Sequence, residues 1–511
     1  MCVSTKKQKT MNRYFNIALM IAGLSVLLSC NAMLDIDPES DITQSTFPRN
    51  TQELNVLVVG VYSGLRAPIQ LEWRFTELRS DNTWQPETGS STQANIDLNS
   101  LDMFFPSSIM PEIYNYWYWT YQYIAAANNV IRNLGVMLNT EVALRRQFEA
   151  EARFLRAMGH FNLVRLFGPI FLMDDLKTPQ EAKQMNRTPI DEIYEFIIDD
   201  LIFASENLPQ RHDAENLGRA TRYAARTLLA KVHMTLQDFE AALPLLRSVE
   251  ASWHNLEPNF ADVFSPNNEM NNEIIFAVRF NSEGIGSSFS NDFAPLNSLT
   301  RVVNMGATRG LNSPTWDLFD SFAEYDTIRR DASIGLWRGL NIDHPEEDRI
   351  RQRLYPRKFV VPVARANQSD QDFPILRYAD VLLMLAETIN ELQGPTAEVF
   401  TLVNRVRRRA GIAFEHDVST NSRLEAREII ENERRWELAF ENHRWFDLVR
   451  TGRAQEVIER QIFEVDWEHY LRYDHVPVRG NIIQTWQILL PIPQREIDAN
   501  NDIIITQNFG Y

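Results

Sequence analysis

Cysteine is nearly absent from this chain of 511 residues, in which only Cys2 and Cys30 occur. Cys2 would leave with any N-terminal signal that is cleaved before Cys30. The mature chain would then hold no pair of cysteines and could form no internal disulfide. An exported protein whose one remaining thiol sits at the cleavage point is most simply a lipoprotein.

The N-terminus also lacks an apolar run long enough to cross a membrane. Phe15–Leu28 is largely apolar over 14 residues, whereas a spanning helix needs about 20. A basic region precedes the run and contains Lys6, Lys7, Lys9 and Arg13. Both features predict a signal peptide over residues 1–29. The run closes with Leu-Leu-Ser-Cys30, which resembles a bacterial lipobox and predicts lipidation of Cys30. An ordinary secretory signal with an incidental cysteine is the alternative.

Positive charge is in short supply, because 51 Lys and Arg face 68 Asp and Glu and the formal net charge is −17. A nucleic-acid partner is therefore not predicted, since binding to phosphates relies on basic patches. The one basic cluster consists of Arg405, Arg407, Arg408 and Arg409. We interpret it as the solvated face of a helix that ends at Gly411.

Catalytic signatures are missing as well. The sequence contains no HExxH, no GxSxG and no Walker loop, and Gly284-Ile285-Gly286 lacks the third glycine of a dinucleotide loop. The nine histidines do not cluster at the spacing of metal ligands, and Asp35, Asp37 and Asp41 lack the glycine and glutamate of a calcium loop. We predict no catalytic residue, metal or cofactor. A carboxylate pair for glycoside hydrolysis remains open among the 68 acidic side chains.

Helical periodicity dominates what is present. Phe154, Met158, Phe161 and Val164 repeat at helical spacing, and Gly168-Pro169 ends that helix. A further helix is predicted to begin at Pro189, with Thr188 as its cap. Two helical hairpins follow, Arg222–Val249 and Leu376–Ala410.

The first hairpin resembles a degenerate tetratricopeptide unit whose turn glycine is replaced by Gln237, and the second is broken at Gly394-Pro395. Because such pairs must stack to bury their apolar faces, the predicted fold is all-α, with tetratricopeptide-like helical hairpins and long loop insertions.

Two regions do not fit the helical pattern. Residues 75–111 and about 253–373 are rich in loop-forming residues, with a strand candidate at Glu273–Phe280. Irregular insertions on a rigid frame often carry binding residues, so we expect the ligand surface there.

The segment 431–452 is rich in charge, with Glu433, Arg434, Arg435, Glu437, Glu441, Arg444 and Asp447. We interpret these as ion pairs along one helix, with Trp436, Phe440 and Trp445 packed inward, rather than as an acid–base site.

Five segments together resemble the SusD/RagB family, the surface lipoproteins with which Bacteroidetes-type bacteria capture nutrients. They are Leu34–Thr43, Ala152–Leu172, Leu376–Leu392, Glu431–Gly452 and Leu489–Tyr511. The resemblance implies an N-terminal helical region with a ligand loop over residues 30–260. A C-terminal region, residues 261–511, would pack on the same globular unit.

Loop residues that join aromatic rings to polar groups suit sugar capture, because a pyranose has an apolar C–H face and a rim of hydroxyls. Residues 79–91 supply Arg79, Asp81, Asn82 and Trp84 in a segment that resembles the family's "SD" loop. Tyr325 and Trp337 are the other predicted ligand residues. Trp316 lies in a helical pattern and is expected in the core.

The resemblance implies a surface-exposed lipoprotein that is anchored in the outer membrane through Cys30. It would bind nutrient, most simply an oligosaccharide, and deliver it to a SusC-like TonB-dependent transporter. Three alternatives stay open: a RagB-like peptide-binding uptake protein, an exported glycan-degrading enzyme, and a repeat scaffold for protein partners. A hydrolase would release reducing sugar, and a scaffold would bind no small ligand.

Overall fold

The computed structural model describes residues 47–86, 92–138, 140–298, 300–338, 353–461, 483–500 and 503–511. The predicted signal peptide, the lipidation site Cys30 and the acidic residues Asp35, Asp37 and Asp41 lie outside these ranges. Most of the described chain is helical. Its α-helices, numbered in chain order, are α1 Thr51–Gly64, α2 Arg66–Thr76, α3 Gln93–Asp102, α4 Pro111–Arg132, α5 Val142–Phe167, α6 Pro179–Ala182, α7 Ile190–Asn207, α8 Arg222–Thr235, α9 Phe239–Glu250, α10 Phe289–Phe293, α11 Thr300–Val303, α12 Trp316–Ser321, α13 Thr327–Ser333, α14 Tyr378–Gln393, α15 Ala397–Arg409, α16 Arg423–Glu437, α17 Arg444–Arg450, α18 Ala454–Arg460 and α19 Gln494–Ala499.

The long helices stack in the order of the chain. Helices α4, α5, α7, α8 and α9 each pack against the next, and α9 packs on α14, which also contacts α15 and α16. The turn between α8 and α9 places Gln237 at φ +61°, the left-handed conformation that the usual glycine would adopt. Helix α14 ends at Gly394, with φ +86°. The prediction of an all-α fold built from helical hairpins is confirmed.

Among the described residues, short strands lie beside the helices and form three antiparallel pairs. The strands are β1 Thr83–Trp84, β2 Ile274–Val278, β3 Ser313–Pro314, β4 Ile334–Trp337, β5 Arg353–Pro356 and β6 Phe373–Arg377. β2 pairs with β6 and is fully buried, which confirms the strand candidate at 273–280. β1 pairs with β3, and β4 with β5. The last two pairs lie in the region that is rich in loop-forming residues.

Three details differ from expectation. The helix predicted to begin at Pro189 begins at Ile190, and no side chain caps it. Arg407 and Arg409 do not lie on a solvated face, because both are buried in ion pairs, Arg407 with Glu433 and Arg409 with Glu273. Their partners come from elements outside α15, which the local charge pattern could not reveal.

Leu54–Tyr511 forms one compact unit. The predicted division near residue 260 stays a prediction. The stretch Thr51–Thr76 has the length and apolar composition of a membrane-spanning helix. It is divided at Leu65 into α1 and α2, however, and Val58, Val61 and Trp73 are buried in the core.

Candidate functional site

The polar segment that follows α2 is interior rather than a solvated loop. Arg79, Asp81 and Asn82 have no exposed surface, and Trp84 is half-buried on β1. The first three residues therefore belong to the core, although they lie in a region that is rich in loop-forming residues. Their contact with ligand stays a prediction that this placement does not favour, because each already has partners inside the protein.

Asp81 is held by two arginines. Arg444 donates to both of its carboxylate oxygens, from Nε at 2.7 Å and from Nη2 at 2.9 Å, and Arg435 Nη2 lies 3.0 Å from Oδ2. Burial alone would raise the pKa of Asp81, but the charges of Arg435 and Arg444 outweigh it and hold the pKa well below its usual range. Asp81 is therefore ionised and fully engaged.

The neighbours of Asp81 complete this interior contact. Asn82 accepts a hydrogen bond from Arg435 Nε at 3.1 Å. Arg79 donates to the carbonyl of Ile488 at 3.1 Å and lies over the ring of Trp445 at 4.4 Å. Burial lowers the pKa of Arg79 to about 10. This segment thus joins the N-terminal helices to α16, α17 and the C-terminal chain.

The charged segment 431–452 forms ion pairs across the fold rather than along one helix. Arg377, at the end of β6, pairs with Glu273, Glu437 and Glu441, each at 2.6 Å. We call the ionic core the buried set of Glu273, Arg329, Lys358, Arg377, Arg409, Glu433, Glu437 and Glu441.

The predicted inward packing of Phe440 and Trp445 is confirmed, with Trp436 partly buried. The prediction that the charges pair within one helix is wrong, because the tertiary fold supplies partners for Glu433 and Glu437 from β6, α13 and α15.

Trp84 is brought towards Trp337 by three adjoining strands. It pairs with Ser313 of β3, and the Ser313 hydroxyl donates to the carbonyl of Leu354 in β5 at 2.9 Å. Strand β5 pairs in turn with β4, where Trp337 lies opposite Arg353. Two tryptophans far apart in sequence therefore lie on strand pairs that contact each other through β3 and β5.

One side of the β4–β5 pair carries a row of half-buried polar and aromatic side chains. Because side chains alternate along a strand, Trp337, Arg353 and Tyr355 point to the same side. Ile334 and Leu354 are on the other side and are buried. We call the row Trp337, Arg353 and Tyr355 the ribbon face.

Tyr355 is placed by a glycine. It pairs with Gly335, and a Cβ at Gly335 would approach the Tyr355 ring to 2.1 Å. The ring therefore lies directly over the backbone of β4, which only glycine permits. The sequence interpretation found Trp337 but missed Arg353 and Tyr355. Their signal is the alternation in Arg353–Pro356, where half-buried and buried positions repeat every second residue.

Tyr325 lies elsewhere. Its ring stacks on that of His416, with centroids 3.8 Å apart and an interplanar angle of 6°. It is 43% exposed and precedes α13, which separates it from β4 along the chain. Its predicted contact with ligand stays a prediction. Trp316 is at the start of α12 and partly buried against the core, in keeping with its expected place.

Two family models match the chain. The model described as the SusD family matches residues 334–511, and the model described as "Starch-binding associating with outer membrane" matches residues 33–234. SusD-like protein P25 of Formosa agariphila is 28% identical, over 97% of this chain and 99% of the relative. SusD-like protein P2 of the same organism is 27% identical, over 96% and 98%.

Solved structures share the fold. A SusD homologue from Bacteroides thetaiotaomicron is similar at a TM-score of 0.79, with 22% identity over 92% of this chain and 99% of that chain. A laminarin-binding SusD-like protein is similar at 0.72, with 24% identity over 91% and 100%. Surface glycan-binding protein A from B. thetaiotaomicron, in complex with laminarihexaose, is similar at 0.74, with 21% identity over 90% and 99%.

Proposed function

Since this chain belongs to the SusD/RagB family, we propose that it is a surface-exposed outer-membrane lipoprotein that binds oligosaccharide and delivers it to a TonB-dependent transporter. The proposal that the protein binds oligosaccharide rests on the ribbon face. It sets two aromatic rings and a guanidinium on one side of a loop-region strand pair.

The chemistry of the ribbon face fits a sugar chain. The rings of Trp337 and Tyr355 offer flat apolar surfaces for the C–H face of a pyranose. Arg353 lies opposite Trp337 and two residues before Tyr355, and it supplies several N–H donors for hydroxyl oxygens. Burial lowers the pKa of Arg353, yet the group keeps its charge at any physiological pH.

The row is also fixed before ligand arrives. Four residue pairs hold β4 against β5, and Tyr355 is seated over Gly335. A rigid site loses little conformational freedom on binding, which favours affinity. Trp84, whose strand reaches β5 through β3, is proposed as a further aromatic contact at the edge of this surface.

Binding is tested by calorimetry with a panel of plant, algal and host oligosaccharides that includes laminarihexaose, since that sugar occurs in a complex of a structurally similar protein. We expect wild type to bind at least one of them and Trp337→Ala to bind it more weakly. Trp253→Ala is the matched control, because Trp253 is a 38% exposed tryptophan outside the ribbon face. Binding of peptides alone would favour the RagB-like alternative, and release of reducing sugar would favour an enzyme.

The membrane and transporter parts rest on the N-terminal sequence and the family. Cys30→Ala should leave a soluble or unprocessed product, and membrane association equal to wild type would exclude the lipid anchor. Gentle detergent extraction followed by affinity purification should recover a transporter of the SusC type with the protein. Repeated elution of the protein alone from native membranes would contradict the complex.

A further inference from the structure

Helix α4 carries an unusual density of rings. Seven of the ten residues from Tyr114 to Tyr123 are aromatic, in a chain that is 11% aromatic overall. Tyr116 and Trp117 are buried and hold the helix in the core, which explains part of the run. Tyr118 is 38% exposed on the outer side, where core packing does not require a ring. The outer rings therefore need a separate explanation.

Three rings of this run form one wall of a cavity of 330 Å³. Trp117, Tyr118 and Tyr121 come from α4, and Phe171 comes from the chain that follows α5. The remaining wall includes Met173 and Met185. A volume of this size lies at the lower end of the range for small-molecule sites, about 300–1,000 Å³.

The aromatic wall is locked in place. Trp117 meets Tyr121 at 5.0 Å and Phe171 at 5.9 Å between ring centroids, and the Tyr121 hydroxyl donates to the carbonyl of Phe171 at 2.8 Å. Tyr118 stacks on Tyr114 at 5.8 Å, and Arg495 lies over the Tyr114 ring. Interlocked rings present a preformed surface rather than a collapsible gap.

The lining also includes polar side chains. Gln122 lies one residue beyond Tyr121 on α4, Lys183 follows α6, and Glu496 belongs to α19. Glu496 is half-buried, and burial raises its pKa. A purely apolar occupant would cover the half-buried carboxyl of Glu496 without satisfying it, at a cost in free energy, whereas Gln122 and Lys183 are exposed at the rim. The cavity instead suits a ring that is apolar on one face and bears hydroxyls at its edge.

We propose that this cavity is a second carbohydrate site, in which a sugar ring packs on Tyr118 and its hydroxyls meet Gln122, Lys183 and Glu496. The choice of sugar rests on the proposed function, whereas the cavity and its lining do not. None of the described lining residues belongs to β4 or β5, so the ribbon face and this cavity can be tested separately. A second site would hold a chain at two points or bind one of its ends.

Methyl-labelled methionine gives a direct readout, because Met173 and Met185 line the cavity. The spectra of the mature protein are recorded with glucose, galactose, mannose, xylose and N-acetylglucosamine, and separately with laminarihexaose. Met173→Leu and Met185→Leu assign the two resonances. We expect at least one sugar to shift both methyls in a saturable way, while Met305, half exposed on another part of the chain, stays unchanged.

Two variants test the site without relying on loss of folding. Ala182→Trp places an indole at the cavity wall and removes no existing side chain, so it should abolish the shifts while the melting temperature is kept. Tyr118→Ala should lower the affinity for the sugar, measured from the saturation of these shifts, at least fivefold. Trp253→Ala should leave that affinity unchanged.

The outcomes separate the two proposals. Methyl shifts that survive Trp337→Ala support a second site, even if the ribbon face proves inactive. If oligosaccharide binds at the ribbon face but no sugar moves the Met173 and Met185 methyls, the cavity is not a carbohydrate site. Saturable shifts by p-cresol with none by any sugar would equally overturn the proposal, since the occupant would then be an apolar ring.

Discussion

The ionic core is made of charged residues and is buried, whereas the ribbon face is mostly aromatic and is half-exposed. Asp81 and its partners Arg435 and Arg444 are buried, as the ionic core is. The segments that contain these residues nevertheless carry more charge than the ribbon face. In the ribbon face, Trp337 and Tyr355 are apolar rings that remain half-exposed. Polarity therefore does not predict exposure in this protein. What decides burial is whether the fold supplies each charge with an opposite charge.

Glu77 and Asp81, four residues apart, show that the partners of a buried carboxyl decide its charge state. Both carboxyls are fully buried. Asp81 faces two arginines and has a lowered pKa, whereas Glu77 is met by the backbone N–H of Asn442 at 2.7 Å and by the amide of Asn82 at 3.4 Å. Burial dominates at Glu77 and raises its pKa to about 7.

The largest expected effect is on stability, from a substitution that removes one of the buried charges. Asp81→Asn keeps the shape but removes the charge that faces Arg435 and Arg444, and we expect the free energy of unfolding to fall by about 3–5 kcal/mol. Denaturant unfolding of wild type and variant measures it. Asp199→Asn, at an exposed position of α7, should change stability by no more than about 0.5 kcal/mol. A stable Asp81→Asn protein with weakened sugar binding would restore Asp81 to the ligand site.

A pH series sharpens the contrast between Glu77 and Asp81. The folded pKa of Glu77, about 7, exceeds its ordinary 4.5, so the folded state binds the proton more tightly. This contribution is fully present below pH 4.5 and is lost as pH rises through 7, at about 1.4 kcal/mol for each pH unit between those values. Glu77→Gln cannot titrate.

The free energy of unfolding of wild type relative to Glu77→Gln should therefore decline from pH 5 to pH 7.5. Denaturant unfolding at several pH values within that window provides the measurement. A constant difference would mean that Glu77 is ionised throughout the window in the folded protein.

A third prediction tests the ribbon face. Trp337→Ala should weaken oligosaccharide binding by about 1–3 kcal/mol, because a ring that anchors a ligand is removed. Stability should change little, since the side chain is half-exposed on a loop-region strand. Trp84→Ala is expected to act in the same direction. Calorimetry gives the affinity and thermal melts give the stability, and a collapsed melting transition would place Trp337 with the core instead.

The smallest expected effect concerns Arg353. Arg353→Met keeps most of the side-chain volume and removes the hydrogen-bond donors, so affinity should fall by about 0.5–1.5 kcal/mol with no loss of stability. The same calorimetric titration measures this change. An affinity equal to wild type would show that the ribbon face binds through its rings alone.

The helical frame could be predicted because its signals are local. Apolar spacing marks α5, and Gly394 ends α14, so the elements follow from neighbouring residues. The burial of Arg79, Asp81 and Asn82 could not be predicted. Arg435 and Arg444, which contact Asn82 and Asp81 in the interior, lie more than 350 positions further along the chain. The row of Trp337, Arg353 and Tyr355 likewise depends on the pairing of two strands.

The sequence by itself determined the helical hairpins and, through its motifs, the family, because both are written in short-range patterns. The tertiary structure decided which charges became interior and which rings were left to face a ligand. The physical reason is that burial of a charge is favourable only when a partner is within a few ångströms. That distance is set by the packing of elements, such as β6 against β2 and α16 against α14, rather than by separation along the chain.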